Sequence, residues 1–314
     1  MTDHVIAAPG PLGFLGLGAM GSGMAATLAR NGFRVKAYDL SEARRQEFEA
    51  ASGQAAATSL EDAMTAVEAV VCMLPDGKFV RAAFLGDGLG DAPIRVAKPG
   101  MLIVDCSSCA PSDTRTLAAD LARLGHGMVD APVSGGVPGT KAGTLTMMAG
   151  GEAADVQRAD AILRGMGKTV FHTGPSGSGH AMKTLVNYIG TSQMLLDFEA
   201  LLIGQKFGLK PETMVEILNV SYAKNLSTEI VLSQQILSER FAHNFSLALA
   251  TKDARIAAET AESVGYGEST PRHFARVLEE ALGTIGDTDL TRVYQYLDGL
   301  WGRTHERQPA GDRP

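Results

Sequence analysis

Cysteine is scarce in this chain, at three residues in 314. So few, and an odd number, exclude the disulfide framework that holds small secreted domains together. Aromatics are thin as well, at 6% with a single Trp, yet hydrophobic residues make up 45% of the chain. That is ample for a buried core at this length. No run reaches the roughly 18 uncharged apolar residues of a membrane-spanning helix. Positive charge is in deficit, with 28 Lys and Arg against 35 Asp and Glu and a net charge of −7. No basic run is present to neutralise a phosphate backbone. Neither nucleic acid nor membrane is an expected partner. The opening residues MTDHVIAAPG lack the basic stretch and apolar core of a targeting segment, so the expected location is cytoplasmic.

What the chain does have is glycine, 36 residues of it, and its placement is informative. In GFLGLGAMGSGMA, residues 13–25, Gly16, Gly18 and Gly21 follow an apolar run and precede a segment with helical spacing. Residues 33–39, FRVKAYD, read as a second strand, and Ser41 as the N-cap of a further helix. The alternation continues through AVVCMLP as strand, a helix near 78–85, GMLIVDCSS as strand and a helix opening at Pro111 and closing before Gly125. GMVDAPVSGG and GTLTMMAGG then read as strands, followed by a helix from Ala153 and the strand KTVFHTG. Such alternation predicts an α/β domain with a doubly wound, mostly parallel sheet over residues 1–172. From 173 to 302 the periodicity is helical throughout, beginning with one long helix at about 178–206. That helix is small and apolar on several faces, which suggests burial against a partner subunit. Residues 303–314 are polar and read as a loose tail.

Strand, glycines and helix in that order suit a dinucleotide. The first glycine makes the turn, the second admits the pyrophosphate and the third lets helix and strand pack closely. Backbone N–H groups and the helix dipole at the start of the helix attract the phosphates. Asp39, at the end of the second strand, is placed to accept hydrogen bonds from the adenine ribose and to repel a 2′-phosphate. This favours NAD, with Arg44 and Arg45 close enough to rescue NADP.

Three stretches compete to supply the chemistry. Ser134, Gly135 and Gly136 in DAPVSGG make either an anion-binding nest for a carboxylate or a plain turn. In GSGHAMKTLVNY, Lys183 and Asn187 share a helix face. Lys183 is either a solvated charge or, with its pKa drawn down by burial, a proton shuttle. His180 beside it reads as a surface or capping residue. Lys252 in KDARIA reaches a phosphate or nicotinamide, or simply pairs with Asp253 or Glu259 in solvent. Cys106 and Cys109 form a C-x-x-C pair that reads as redox-active or metal-binding only with further ligands, and no nearby Cys or His supplies them.

Taken in order along nearly the whole chain, GFLGLGAMGSGMA, MLP, DCSS, DAPVSGGVPGTKAGTLTMMAGG, GSGHAMKTLVN and KDARIA resemble the β-hydroxyacid dehydrogenase family, which includes 3-hydroxyisobutyrate dehydrogenases. The resemblance implies a Rossmann-type domain followed by an all-α domain led by a long helix, and a homodimer or homotetramer. It implies hydride transfer between NAD, or NADP, and a small 3-hydroxy carboxylic acid or its semialdehyde. By position, Lys183 matches the family's general acid/base and Asn187 its substrate-orienting asparagine. Ser134, Gly135 and Gly136 match the loop that holds the substrate carboxylate. Gly16, Leu17, Gly18, Ala19, Met20, Gly21, Asp39, Leu74, Pro75, Ser108 and Lys252 match positions that line the cofactor. No metal is implied, and the C-x-x-C becomes an accident of its loop. Tyr188 and Phe79 depart from the family's amide residues at those places. Imine reductases typically lack the lysine, and 6-phosphogluconate dehydrogenases carry His where Asn187 stands. The competing reading is a non-catalytic scaffold or interaction protein of the same fold, against which Lys183 and the intact glycines weigh.

Overall fold

The structure, a computed structural model, describes residues 5–86, 92–267 and 269–306. The chain divides into two compact units, Met1–Lys183 and Thr184–Pro314. In the first unit the elements run β1 (Pro11–Leu15), α1 (Gly21–Arg30), β2 (Arg34–Tyr38), α2 (Glu42–Ser52), α3 (Leu60–Met64), β3 (Ala69–Cys72), α4 (Gly77–Leu85) and, after a 3-10 turn, β4 (Leu102–Asp105). They continue with α5 (Pro111–Arg123), β5 (Gly127–Asp130), β6 (Val133–Ser134), α6 (Gly136–Ala142), β7 (Leu145–Gly150), α7 (Ala153–Met166), β8 (Gly167–Gly174) and α8 (Ser178–Phe207), whose first residues belong to this unit. The short helices α3 and α6 have no expectation in the sequence reading, because five and seven residues are too few to show a period.

The sheet runs in the order β2-β1-β3-β4-β5-β7-β6, with β8 paired to β7. The first five strands of this order are parallel, whereas β7 is antiparallel to β5 and β6. Every residue of β3, β4 and β5 is buried, as expected of parallel strands covered on both faces. The two faces can be read residue by residue. Ala69, Val71, Leu102, Val104 and Val129 join Met24, Leu28, Ile162 and Leu163 of α1 and α7. Their neighbours Val70, Cys72, Ile103 and Met128 join Val80, Phe84, Leu117 and Leu121 of α4 and α5. A period of two in the strands thus delivers alternate side chains to two helix layers.

The first unit runs past 172 to Lys183 because the start of α8 is bonded into it. Asp130, at the end of β5, accepts the backbone N–H groups of Gly177 at 2.7 Å and His180 at 2.9 Å.

In the second unit, α8 continues from Thr184, followed by α9 (Pro211–Val220), a π-helix (Ser227–Leu237), α10 (Leu247–Ser263), α11 (Thr270–Ile285), a 3-10 turn and α12 (Val293–Glu306). Its core gathers Phe198, Leu201, Leu232, Leu247, Leu278 and Val293. The π-helix is capped at its start, where Asn225 Oδ1 accepts the N–H groups of Ser227 and Thr228 at 2.7 and 3.2 Å. Residues 303–306, read as the beginning of a loose tail, continue α12, and 307–314 lie outside the described residues.

Candidate active site

Strand order reverses between β1 and β3, since β1 has β2 on one side and β3 on the other. Connections leaving the carboxyl ends of two such strands diverge to opposite faces and open a crevice between them. The glycine loop leaves β1 there, and Leu74 and Pro75 leave β3 beside it.

Gly16 turns the chain with φ +93°, and a Cβ on it would strike the carbonyl of Met73 and the side chain of Leu74. A Cβ on Gly21, the first residue of α1, would strike the carbonyl of Gly16. On Gly18 a Cβ would meet nothing within 4 Å. Two glycines are therefore required by the protein's own backbone, while the middle one faces open space. Beside that space Met20 is the N-cap of α1 and gives no side-chain cap bond, leaving N–H groups for an anion. Leu17 is buried, Met20 packs against the core and Ala19 is exposed. This cradle fits a dinucleotide pyrophosphate.

Asp39 stands at the mouth of the loop. Its Oδ2 accepts Leu17 N–H at 2.8 Å and its Oδ1 accepts Ser41 N–H at 2.9 Å, so the carboxylate is fixed and each oxygen keeps accepting capacity for ribose hydroxyls. Arg44 lies 3.5 Å from Oδ2. Arg45 donates to the carbonyls of Asp39 and Leu40 and rests over the Tyr38 ring.

The loops after β3 and β4 are tied together, because Leu74 N–H donates to Ser107 Oγ at 2.9 Å. Ser108, next along, is half-buried, and Pro75 is exposed. After β6, Ser134 is half-buried, and exposed Gly135 and Gly136 take φ +133° and +61°. Their conformations suit glycine and bring the backbone to the surface without side chains. Lys183 is half-buried on α8, and Phe79 is exposed on α4.

Beneath these loops lies a polar network that the sequence reading missed. His180 is fully buried, not a surface or capping residue. Its Nε2 donates to the Ser107 carbonyl at 3.0 Å and its Nδ1 is hydrogen-bonded to Thr114 Oγ1 at 2.7 Å. The buried carboxylates of Asp105 and Asp130 stand 4.0 and 3.8 Å from the two ring nitrogens. Burial pushes the Asp130 carboxyl up from its ordinary range, opposed by His180 and by the N–H groups of Gly177 and His180. The motif signals glycine and lysine at this place, but nothing in local spacing says that three distant segments converge on one imidazole.

All three cysteines surround the same carboxylate and are buried. Cys72 and Cys109 thiols donate to Asp105 at 3.3 and 3.6 Å. Burial, reinforced by the Asp105 charge, pushes the Cys72 and Cys106 thiols well above their usual range. They stay protonated, which opposes redox nucleophilicity. Donor atoms of Asp105, Cys109 and His180 lie within 4.8 Å of one another, a spacing a metal ion accepts. Each of these groups is already engaged in the hydrogen bonds just described.

In the second unit, Asn187 Nδ2 donates to Asp253 Oδ2 at 2.7 Å, and Asp253 Oδ1 lies 3.4 Å from Lys252 Nζ. Asp253 thus aligns two expected site residues. The sequence offers it only as a counter-ion of Lys252, because its partner Asn187 is on another helix. Tyr188, one residue on, packs edge-to-face on Phe274 with centroids 5.8 Å apart, so its departure from the family pattern serves the core.

A switch-point crevice, a glycine cradle fitted to backbone and a fixed carboxylate after β2 define an NAD(P)-dependent oxidoreductase. Residues 11–174 match the family model for the NAD binding domain of 6-phosphogluconate dehydrogenase, and residues 177–297 that for NAD-binding of NADP-dependent 3-hydroxyisobutyrate dehydrogenase. The chain belongs to the β-hydroxyacid dehydrogenase family. It is 38% identical to 2-(hydroxymethyl)glutarate dehydrogenase of Eubacterium barkeri, over 93% of this chain and 96% of that one. It is 34% identical to the NAD-dependent L-serine dehydrogenase of Pseudomonas aeruginosa, over 83% and 87%. A solved structure of Mycobacterium tuberculosis 3-hydroxyisobutyrate dehydrogenase with L-serine superposes with a TM-score of 0.82 at 28% identity, covering 92% and 99% of the two chains.

The glycines separate fold from binding. Gly18→Ala is expected to melt at the wild-type temperature but to lose NADH affinity in a fluorescence titration, whereas Gly21→Ala loses thermal stability as well. Equal melting of the two variants would contradict the assignment of Gly18 to the pyrophosphate.

Proposed function

We propose that Lys183 is the general acid/base for interconversion of a small β-hydroxy acid and its semialdehyde. The supporting observation is that Lys183 lies six residues beyond Gly177 and three beyond His180, the residues through which Asp130 and Ser107 fasten the start of α8 to the carboxyl edge of the sheet. In oxidation, the Lys183 amine takes the hydroxyl proton as the carbinol carbon becomes a carbonyl, and it returns the proton in reduction. The nicotinamide ring, when bound, supplies the hydride acceptor or donor. Ser134, with the exposed backbone of Gly135 and Gly136, holds the substrate carboxylate. Asn187, with its amide turned by Asp253, orients the substrate hydroxyl. The glycine loop, Asp39, Leu74, Pro75, Ser108 and Lys252 hold the dinucleotide. Fixing substrate at both carboxylate and hydroxyl is a large share of what such a site contributes.

The substrates named for the relatives share one fragment. 2-(Hydroxymethyl)glutarate, L-serine and 3-hydroxyisobutyrate each carry a CH₂OH group on the carbon that bears the carboxylate. We assign this chain to the same 2-substituted 3-hydroxypropanoates, with NAD preferred because the Asp39 carboxylate is fixed where a 2′-phosphate would enter. A cytoplasmic location accords with three cysteines that are not joined in disulfides.

The chain is also assigned to a homodimer or homotetramer. Leu185, Ile189, Leu196, Ile203 and Phe207 are all exposed, and their spacing of four, seven, seven and four places them on one stripe of α8. A stripe of this length is costly to leave in water.

Lys183→Ala is expected to lower turnover about 10²–10⁴-fold with NADH affinity kept. Near-normal turnover would end the general-base assignment, and silence of the wild type toward a broad panel of hydroxy acids and semialdehydes would favour the scaffold reading. Asp39→Ala should shift kcat/KM from NAD toward NADP by about tenfold or more, measured by initial rates with each cofactor. Leu196→Glu with Ile203→Glu should convert the oligomer to monomer in light scattering, and an unchanged mass would refute the α8 interface.

A further inference from the structure

His180 is given no contact with a reacting group, yet its ring ties together segments that are distant in the sequence. Its ring reaches the loop after β4 through the Ser107 carbonyl at 3.0 Å and reaches α5 through Thr114 at 2.7 Å. Its backbone N–H is held by Asp130 at the end of β5. A carbonyl only accepts, so Nε2 carries a proton, and the ring fastens the first turn of α8 directly to the residue preceding Ser108. Ser107 also receives Leu74 N–H on its hydroxyl, which extends the tie to the loop after β3. Lys183 is three residues beyond His180, hence on the neighbouring turn of the same face.

We infer that His180 is a positioning residue: its Nε2–H bond to Ser107 sets the distance between the loop carrying Ser108 and the helix turn carrying Lys183. This inference rests on the general-base reading of Lys183. An aliphatic residue fills the same volume but leaves the Ser107 carbonyl without its donor in a buried place, so loop and helix are free to separate. Separation by about 1 Å at a site that depends on alignment can cost about 10²-fold in rate.

The test uses two amides that divide the two ring bonds. Glutamine places its amide nitrogen near the Nε2 position and keeps the donor to Ser107. Asparagine ends near Nδ1 and serves only Thr114. In the full-length protein, His180→Asn is expected to lower kcat about 10- to 100-fold, with KM and NADH affinity within about twofold of wild type. Hydrogen exchange of the cofactor-free protein should rise over residues 106–110. His180→Gln should restore both the turnover and the protection. In a Lys183→Ala background, His180→Asn should cost nothing further, as expected of a residue acting through that lysine. Wild-type kcat in His180→Asn overturns the inference. So does a loss that glutamine does not restore, an equal loss without Lys183, or exchange over 106–110 that stays unchanged. If Lys183→Ala itself keeps its turnover, the general-base reading fails and takes the catalytic part of the inference with it, whereas the exchange measurement still decides whether His180 holds the loop.

Discussion

A carboxylate with no access to water holds the start of the long helix. Asp130 is 1% exposed, and removing an ionised carboxylate from water costs several kcal/mol after relaxation. The cost is met by two N–H groups at the beginning of α8, by the positive end of that helix's dipole and by the imidazole 3.8 Å away. Burial still raises its proton affinity, a sign of how closely the opposing terms balance. With Asp130 in place, the entry of α8 is fixed against the carboxyl ends of β4 and β5, and Lys183 follows three residues after His180. Without it, the first unit would have no such tie to the start of α8.

The rest of the crevice depends on close backbone approaches. Gly16 allows the loop after β1 to touch the loop after β3, and Gly21 lets α1 begin against the turn itself. Side chains at either place would push these segments apart. The carboxylate of Asp39 then locks the loop through Leu17, so an element of cofactor recognition is also an element of the scaffold. Such double use reduces the reorganisation that binding would otherwise demand.

Strand, glycine loop and helix were legible because each follows from relations between near neighbours. So were the alternation of the sheet domain, the beginning and end of α8 and the shared face of Lys183 and Asn187. His180 was misread for the converse reason. A histidine among glycines resembles a surface residue until the chain brings Ser107, Thr114 and Asp130 around it. Asp253 was seen only as a neighbour of Lys252, and Tyr188 only as a departure, because Asn187 and Phe274 approach them from other helices. The C-x-x-C pair shows the same limit, since its spacing says nothing of the carboxylate that keeps its surroundings negative.

By itself the sequence determined periods, caps and turns: which residues form most of the elements, that α8 is long and largely apolar, and that a glycine cradle and an acidic residue bracket the second strand. Only the tertiary structure decided the bonds that span long stretches of chain. Gly177 to Asp130 bridges 47 residues, His180 to Ser107 bridges 73 and Asn187 to Asp253 bridges 66. Local rules act through steric and hydrogen-bonding preferences within a few residues, whereas these contacts exist because burial of apolar strands brings their carboxyl ends, or the faces of packed helices, to common points.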